Sequence, residues 1–279
     1  MSDRQAGGSE LSAAGAVLPP LRVEQRGAVA ILTLDRPAAR NALSEAMIAA
    51  LTGALDDITR STAIRAAVLA ADGPAFCSGH DLKEMTARRA DADGGRAYFA
   101  DIMDRCAAMM MAIVKCPKPI IAAIEGPASA AGLQLVAACD LAVAGRAARF
   151  STPGVNIGLF CSTPMVALSR NVSRKRAMEI LLLGEMLSAE DAATYGLVNR
   201  VVAPGAALAG ALAMAEAIAS KSSLTVAFGK AAFHALVELP LADAYAHAAD
   251  VMVRNMLARD AEEGIAAFIE KRAPEWKGC

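Results

Sequence analysis

The sequence predicts an α/β fold that ends in a helical region, and three observations carry the prediction. From Leu21 to about Gly145, short β-rich apolar runs alternate with helical stretches, the pattern of strands covered by helices. From about Ala207 onward the periodicity is helical throughout. No stretch is rich enough in Pro, Gly or Ser to part the two regions into independent domains. The expected organisation is a flexible tail over 1–20, an α/β core over 21–205, and helices of the same domain over 206–279.

The first strand is Val29 to Leu34, closed by the turn signal Asp35-Arg36-Pro37. Ser44 then caps a helix in which Met47, Leu51, Leu55 and Ile58 recur at spacings of four, four and three. Ala66 to Ala70 reads as a second strand and stops at Asp72-Gly73-Pro74. Ile120 to Ile124, after the restrictive Pro117 and Pro119, is a third, and Leu141 to Ala144 a fourth. Ser188-Ala189-Glu190-Asp191 has the form of a capping box, and Gly196 closes that short helix. Helical patterns cover Ala207 to Ser220, Ser222 to Val237, Leu241 to Leu257 and Asp260 to Arg272.

Composition narrows the function. Of 279 residues 55% are apolar but only 4% aromatic, so aliphatic residues and alanine must build the core. Lys and Arg number 28 against 29 Asp and Glu, so no global charge draws the chain to nucleic acid or an anionic membrane, and neither is expected as a partner. No run reaches the roughly 18 to 20 apolar residues of a membrane span. Met1 to Pro20 lacks both the order of a secretion signal and the Arg-rich, acid-poor character of a transit peptide. The six cysteines form no CxxC pair and the three histidines are scattered, so no metal site is expected, and the thiols read as reduced groups of a cytoplasmic protein.

Two loops stand out. Ala75 to Leu82 contains Gly79, which permits an unusual backbone angle, and Asp81, which suits a helix start. Glu125 to Leu135 runs small residues from a strand straight into a helix, where unpaired N–H groups and a positive dipole gather. Taken singly, these are a tight turn and a close helix–strand packing. Neither matches a GxGxxG or GxxxxGK[ST] phosphate loop.

In order along the chain, however, the motifs resemble the crotonase superfamily, the enoyl-CoA hydratase/isomerase family. The matching elements are Asp35-Arg36-Pro37 with Asn41-Ala42-Leu43, Phe76 to Leu82, Pro119 to Gly126, Cys139-Asp140, Phe150 to Gly158, Ala192 to Val198 and Glu263 to Arg272. They span roughly Leu21 to Lys277. Ala128 to Gly132, Gln134-Leu135-Val136 and the run from Thr152 to Pro164 look most like the divergent enoyl-CoA hydratase domain-containing proteins.

The resemblance implies a spiral of ββα units whose C-terminal helices build a homotrimer or a dimer of trimers. It implies an acyl-CoA thioester as substrate, with coenzyme A part of that substrate and no tightly bound cofactor. The backbone N–H groups of His80 and Ala131 fall at the oxyanion hole for a thioester enolate. Ala38, Ala39 and Arg40, the turn His80-Asp81-Leu82-Lys83, and Phe268 with Lys271 fall at CoA-binding positions, the last two in the family often from a neighbouring subunit. The sequence departs from the family's hydratases at their two glutamates, where it carries Gln134 and Gly154. Gln134 and Asn156 can still orient a substrate or a water. Cys161 and Ser162 are candidate nucleophiles, Ser162 lying where a related dehalogenase carries an Asp, and His80 is the histidine that could turn inward to serve them; the plain alternative is a polar turn before Pro164. The alternatives are a decarboxylase of malonyl-CoA derivatives, suggested by Gly79-His80-Asp81 and Thr152-Pro153, a thioester hydrolase, or a non-catalytic acyl-CoA binding or interaction protein.

Overall fold

The computed structural model describes residues 19–279; most of the expected 1–20 tail therefore lies outside the described residues. The described residues begin with a hairpin, β1 (Leu21–Arg26) and β2 (Val29–Leu34), then α1 (Glu45–Arg60), β3 (Ala66–Ala71), α2 (Leu82–Ala87) and α3 (Arg96–Lys115). β4 (Ile120–Ile124) and β5 (Pro127–Ser129) lead into α4 (Ala131–Ala138), followed by β6 (Leu141–Gly145) and β7 (Arg149–Ser151). Then come α5 (Ser162–Asn171), α6 (Arg174–Leu183), β8 (Leu187–Ser188), α7 (Ala189–Tyr195) and β9 (Arg200–Val202). The last helices are α8 (Ala207–Ala219), α9 (Ser223–Leu236), α10 (Leu241–Met256) and α11 (Arg259–Glu270).

A six-stranded sheet in the order β1-β2-β3-β4-β6-β9 is parallel except for the β1–β2 hairpin. A small second sheet, β5-β7-β8, stands beside it. All six residues of β2 and all five of β4 are buried, because helices cover both faces of the large sheet. Leu32, Leu34, Leu69, Ala122 and Ile124 face α1, α3 and α4 in the larger core. The alternate residues Ile31, Val68, Ile121 and Val143 face α8. α8 lays Ala207, Ala211 and Ala215, each four residues apart, onto those side chains, and this small-residue stripe lets it approach without aromatic filler.

The caps expected from the sequence form. The Ser44 hydroxyl accepts the Met47 N–H, and the Ser188 hydroxyl accepts the Asp191 N–H with Gly196 in the left-handed region at the far end. One expectation is corrected: Ser162, Thr163 and Pro164 are no turn but the first turn of α5, where proline needs no N–H partner. The architecture is mixed α/β with a helical C-terminal end.

Candidate active site

The two loops singled out in the sequence pack against each other. Cys77 bridges Ala128, the Ser129 N–H donates to the Cys77 carbonyl at 2.9 Å, and the Phe76 N–H donates to the Pro127 carbonyl at 3.0 Å. Gly132 sits so close to the Cys77 carbonyl that a side chain there would overlap it. Gly79 has φ +94°, and a Cβ on it would lie 3.0 Å from Ala130 Cβ and 3.4 Å from the Ala131 nitrogen. Only glycine at 79 combines that backbone angle with that approach.

Ala130 is strained, with φ +51° and ψ −118°, a region alanine seldom enters. Its own N–H is spent on the Ser151 carbonyl at 2.9 Å and its carbonyl on the Gln134 N–H, which fixes the turn from β5 into α4. The next residue, Ala131, opens α4 with an N–H that has no intrahelical acceptor. On the facing loop, the Leu43 N–H donates to the Gly79 carbonyl and the Asp81 N–H to the Leu43 carbonyl, leaving the His80 N–H between them unused. Neither the His80 nor the Ala131 N–H donates a hydrogen bond to any described residue. Two free backbone donors thus stand on adjoining loops, one of them at a helix start.

Polar side chains without partners gather here too. Both ring nitrogens of His80 and Gln134 Oε1 are buried and unpaired among the described residues. Burial lowers the His80 pKa, so the imidazole is neutral at pH 7. Gln134 is 5% exposed on α4. Gly154 is also buried, and a Cβ on it would meet Cys161 Sγ at 2.9 Å and the Leu159 carbonyl oxygen at 2.7 Å. The Cys161 sulfur therefore fills the space that a side chain at 154 would need. Burial pushes its thiol up, against the opposing effect of the Gly154 N–H. Ser162 is exposed and its hydroxyl donates to the Phe160 carbonyl at 3.3 Å. No hydrogen bond joins His80 to either, so the structure does not assemble a nucleophile–base pair from them.

Segment 36–43 flanks the donors. Asn41, at φ +53°, accepts the Arg36 N–H and donates to the Asp72 and Ala75 carbonyls, pinning the segment to the strand-to-helix turn. The Ser78 N–H donates to the Arg40 carbonyl, which brings Ala38, Ala39 and Arg40 next to the turn His80 to Lys83. Asp81 caps α2 through the Lys83 N–H and pairs with Arg36 at 3.3 Å, while Leu82 and Lys83 are exposed. Phe268 and Lys271 lie elsewhere, exposed at the end of α11, which packs on α9 and α10. Within the protomer no hydrogen bond connects them to the other positions.

Tyr98 escapes notice in the sequence but adjoins this region. It begins the apolar stripe of α3 that continues through Ile102, Cys106, Met109 and Ile113, and the stripe's four- and three-residue spacing is the signal that could have found it. Its hydroxyl is buried, and burial first, then the nearby Glu45 and Glu84 carboxylates, push its pKa up to about 12.

Comparison with known proteins identifies the family. The family model described as enoyl-CoA hydratase/isomerase matches residues 24–279. Mouse mitochondrial enoyl-CoA hydratase domain-containing protein 3 is 45% identical over 252 residues, covering 90% of this chain and 82% of that protein. A crystal structure of an enoyl-CoA hydratase from Mycobacterium smegmatis superposes with a TM-score of 0.88 at 52% identity, over 93% of this chain and 99% of that one. The human domain-containing protein 3 superposes equally well, TM-score 0.88, at 42% identity over 92% of this chain and 100% of that chain. These relatives correct the expected cytoplasmic location, since the rat, mouse, human and frog proteins are mitochondrial. The physical reason is that reduced thiols and balanced charge mark a reducing compartment without telling one from another. A matching model over nearly the whole chain and relatives above two-fifths identity give one conclusion: the chain belongs to the enoyl-CoA hydratase/isomerase family.

Proposed function

We propose that this protein acts on acyl-CoA thioesters and stabilises a thioester enolate between the backbone N–H groups of His80 and Ala131. The observation that carries the reading is that pair of unpaired donors, held on adjoining loops by Gly79 and the strained Ala130. Preorganised donors aimed at developing negative charge contribute about 3 kcal/mol each, or 10²- to 10³-fold in rate. Exposed Arg40 and Lys83 beside the donors suit the phosphates of CoA, with Ala38, Ala39, Asp81 and Leu82 along the thioester arm. Phe268 and Lys271 serve CoA only from a neighbouring protomer, so the reading includes a homotrimer or dimer of trimers.

Gln134 and Gly154 take the positions of a hydratase's two glutamates in this proposal. Glutamine carries no proton near pH 7 and glycine has no side chain, and each positioned acid or base contributes about 10²- to 10⁴-fold. Gln134 then binds and orients, and efficient hydration needs a proton carrier other than these two residues. That same absence of carboxylates favours a second reading, decarboxylation of a malonyl-type thioester. There the C–C bond electrons pass to Cα as CO₂ leaves, so the enolate forms without a base. Hydrolysis through Cys161 or Ser162 has no such support, because neither has a base.

Mass spectrometry of crotonyl-, 3-hydroxybutyryl-, methylmalonyl- and butyryl-CoA after incubation with the protein separates these outcomes. Gain or loss of water supports the hydratase-type reading, and loss of CO₂ the decarboxylase. Turnover should fall about 10²- to 10³-fold in Ala131→Pro, which deletes one donor at a helix position that tolerates proline, with the far-UV circular dichroism retained. Binding without any turnover across the panel would leave a non-catalytic acyl-CoA binder.

A further inference from the structure

Two buried serines pair next to the strained turn. Ser129 ends β5 and Ser151 ends β7, in register across the parallel ladder, and their hydroxyls are hydrogen-bonded at 3.0 Å. Ser151 is wholly buried and Ser129 is 9% exposed, and the preceding pair in the ladder, Ala128 with Phe150, is buried and apolar. Two alanines would fill nearly the same space without a buried polar group. The pair is also poorly matched in protons: two O–H groups share one hydrogen bond, so one of them has no acceptor among the described residues. Buried polar groups left partly unsatisfied are uncommon enough to call for an explanation.

Their position supplies one. The Ser129 N–H donates to the Cys77 carbonyl at 2.9 Å, and a Cβ on Gly79 would lie 3.2 Å from the Ser129 carbonyl oxygen, so Ser129 meets the loop that carries the His80 donor. The Ser151 carbonyl accepts the Ala130 N–H at 2.9 Å, and Ala130, at φ +51° and ψ −118°, turns the chain so that Ala131 opens α4. A residue keeps such angles only where its surroundings over-determine them. β5 and β7 have three residues each, a short ladder to do this alone. We propose that the Ser129–Ser151 hydroxyl pair is a positioning device for the oxyanion donors: by fixing β5 to β7 beside Ala130, it sets the direction of the Ala131 N–H relative to that of His80. Both serines act through Ala130 and not by touching substrate. This inference rests on the acyl-CoA reading.

The probe is acetoacetyl-CoA, whose Cα–H bond breaks to give the proton to solvent and leave an enolate. The electron pair spreads onto the thioester and ketone oxygens, and a near-ultraviolet band reports it. Donors that bind this anion move its formation to lower pH. The full chain is mixed with acetoacetyl-CoA across a pH series, and titrated by calorimetry with butyryl-CoA, which stays un-ionised. Wild type should enolise the bound probe at lower pH than buffer does. In Ser129→Ala and in Ser151→Ala that shift should shrink by about one pH unit, or tenfold, as for a donor tilted and not lost, with butyryl-CoA affinity within about twofold of wild type. The double variant should lose no more than either single one, because each removes the same bond. Circular dichroism checks folding, and Ser129→Ala alone carries the test if Ser151→Ala unfolds. An unchanged shift, an effect confined to one of two folded variants, or a fall matched by equal loss of butyryl-CoA affinity overturns the inference and leaves the acyl-CoA reading standing. If wild type binds butyryl-CoA without shifting the probe, the enolate reading falls and the inference with it. If neither thioester binds, the acyl-CoA reading falls as well.

Discussion

At residue 154 the absence of a side chain is matched by the presence of one at 161. A Cβ on Gly154 would press on both Cys161 Sγ and the Leu159 carbonyl, so Gly154→Ala should cost about 1–3 kcal/mol, as overpacking of a tight interior does. Cys161→Ala alone leaves a small void. Combined, the two substitutions should be less costly than their sum by about 0.5–1.5 kcal/mol, because the new methyl enters the space the sulfur vacates. Recovery stays partial, since the Leu159 carbonyl is backbone and cannot swing aside. Urea unfolding of the two single variants and the double closes the cycle, and strict additivity would mean the sulfur is not what limits position 154. Side-chain chemistry at this site was partly legible in the sequence. Gln134 and Gly154 were singled out only through the family resemblance; Gly79 and the small run before Gln134 could be read from residue types. The strain at Ala130 could not, because alanine carries no propensity for a positive φ and only the Ser151 carbonyl and α4 impose it. Tyr98 was hidden for a similar reason: the Glu45 carboxylate near it is more than 50 residues away in sequence.

Among the elements, those with a full period of pattern were legible and those without one were not. β2, α1, β4 and the four C-terminal helices each run long enough for alternation, burial or capping to show. β5, β7 and β8 have two or three residues, too few for any period, and pair only because β4 and α6 deliver them to one place. How α9 is fastened was equally hidden. Lys230 is almost fully buried and donates to Asp140 Oδ2 at 2.7 Å and to the carbonyls of Ile113 and Lys118 at 3.0 and 3.3 Å, while Asp140 also accepts the Ile120 N–H. One ammonium thus ties α9 to the end of α3 and the start of β4. Lys230→Met should destabilise the fold by about 1–3 kcal/mol, because it leaves the half-buried Asp140 carboxylate with the Ile120 N–H and His234 at 3.7 Å, and Asp140→Asn in the same background should return part of that loss. Equal denaturation midpoints for wild type and Lys230→Met would show that the pair is solvated and idle. The chain's C-terminal strap is held differently. Glu263 takes Arg272 in a two-pronged pair at 2.6 and 2.9 Å and accepts the Glu275 N–H; these, Arg272 first, hold its carboxyl at about 2 against the usual 4.5. At Asp260 burial works against the charge, but the Ser222 hydroxyl and the Lys277 and Gly278 N–H groups outweigh it and lower its pKa. Depressed carboxylates contribute stability above their unfolded pKa and lose it as pH falls through the folded one. Trp276, the chain's one tryptophan, donates to the Ser220 carbonyl within this strap. Its emission should move to longer wavelength between about pH 4.5 and 2, ahead of the loss of far-UV ellipticity, and Glu263→Gln should show the shifted spectrum already at pH 7. A spectrum that stays put until the whole fold melts would refute the strap's electrostatic hold.

For the whole molecule, the C-terminal helices of the described protomer carry an apolar surface that their own packing does not cover. α10 has helical spacing of apolar residues yet buries none of them, and α10 and α11 carry many exposed large apolar side chains. Leu257 is 82% exposed, Leu241 75%, Tyr245 72%, Phe268 85% and Ile269 72%. An apolar surface of this kind is uncommon on a monomer that stays monomeric. The sequence pattern shows that these helices are amphipathic but cannot show what their second faces meet, because a face toward a partner and a face toward a core have the same period. We propose that these faces meet in a homotrimer, alone or doubled into a dimer of trimers, which would also carry Phe268 and Lys271 toward the thioester site of a neighbour. Sedimentation velocity at micromolar concentration should give three or six times the protomer mass. Leu257→Glu, placing a charge at a side chain that is almost wholly exposed in the protomer, should lower that mass without lowering helix content. If Phe268 and Lys271 act across the interface, the dissociated variant should also bind acyl-CoA more weakly than wild type at equal protomer concentration. A wild-type monomer would remove both the assembly and the CoA role of those two residues, and would leave the donors at His80 and Ala131 to act within a single chain.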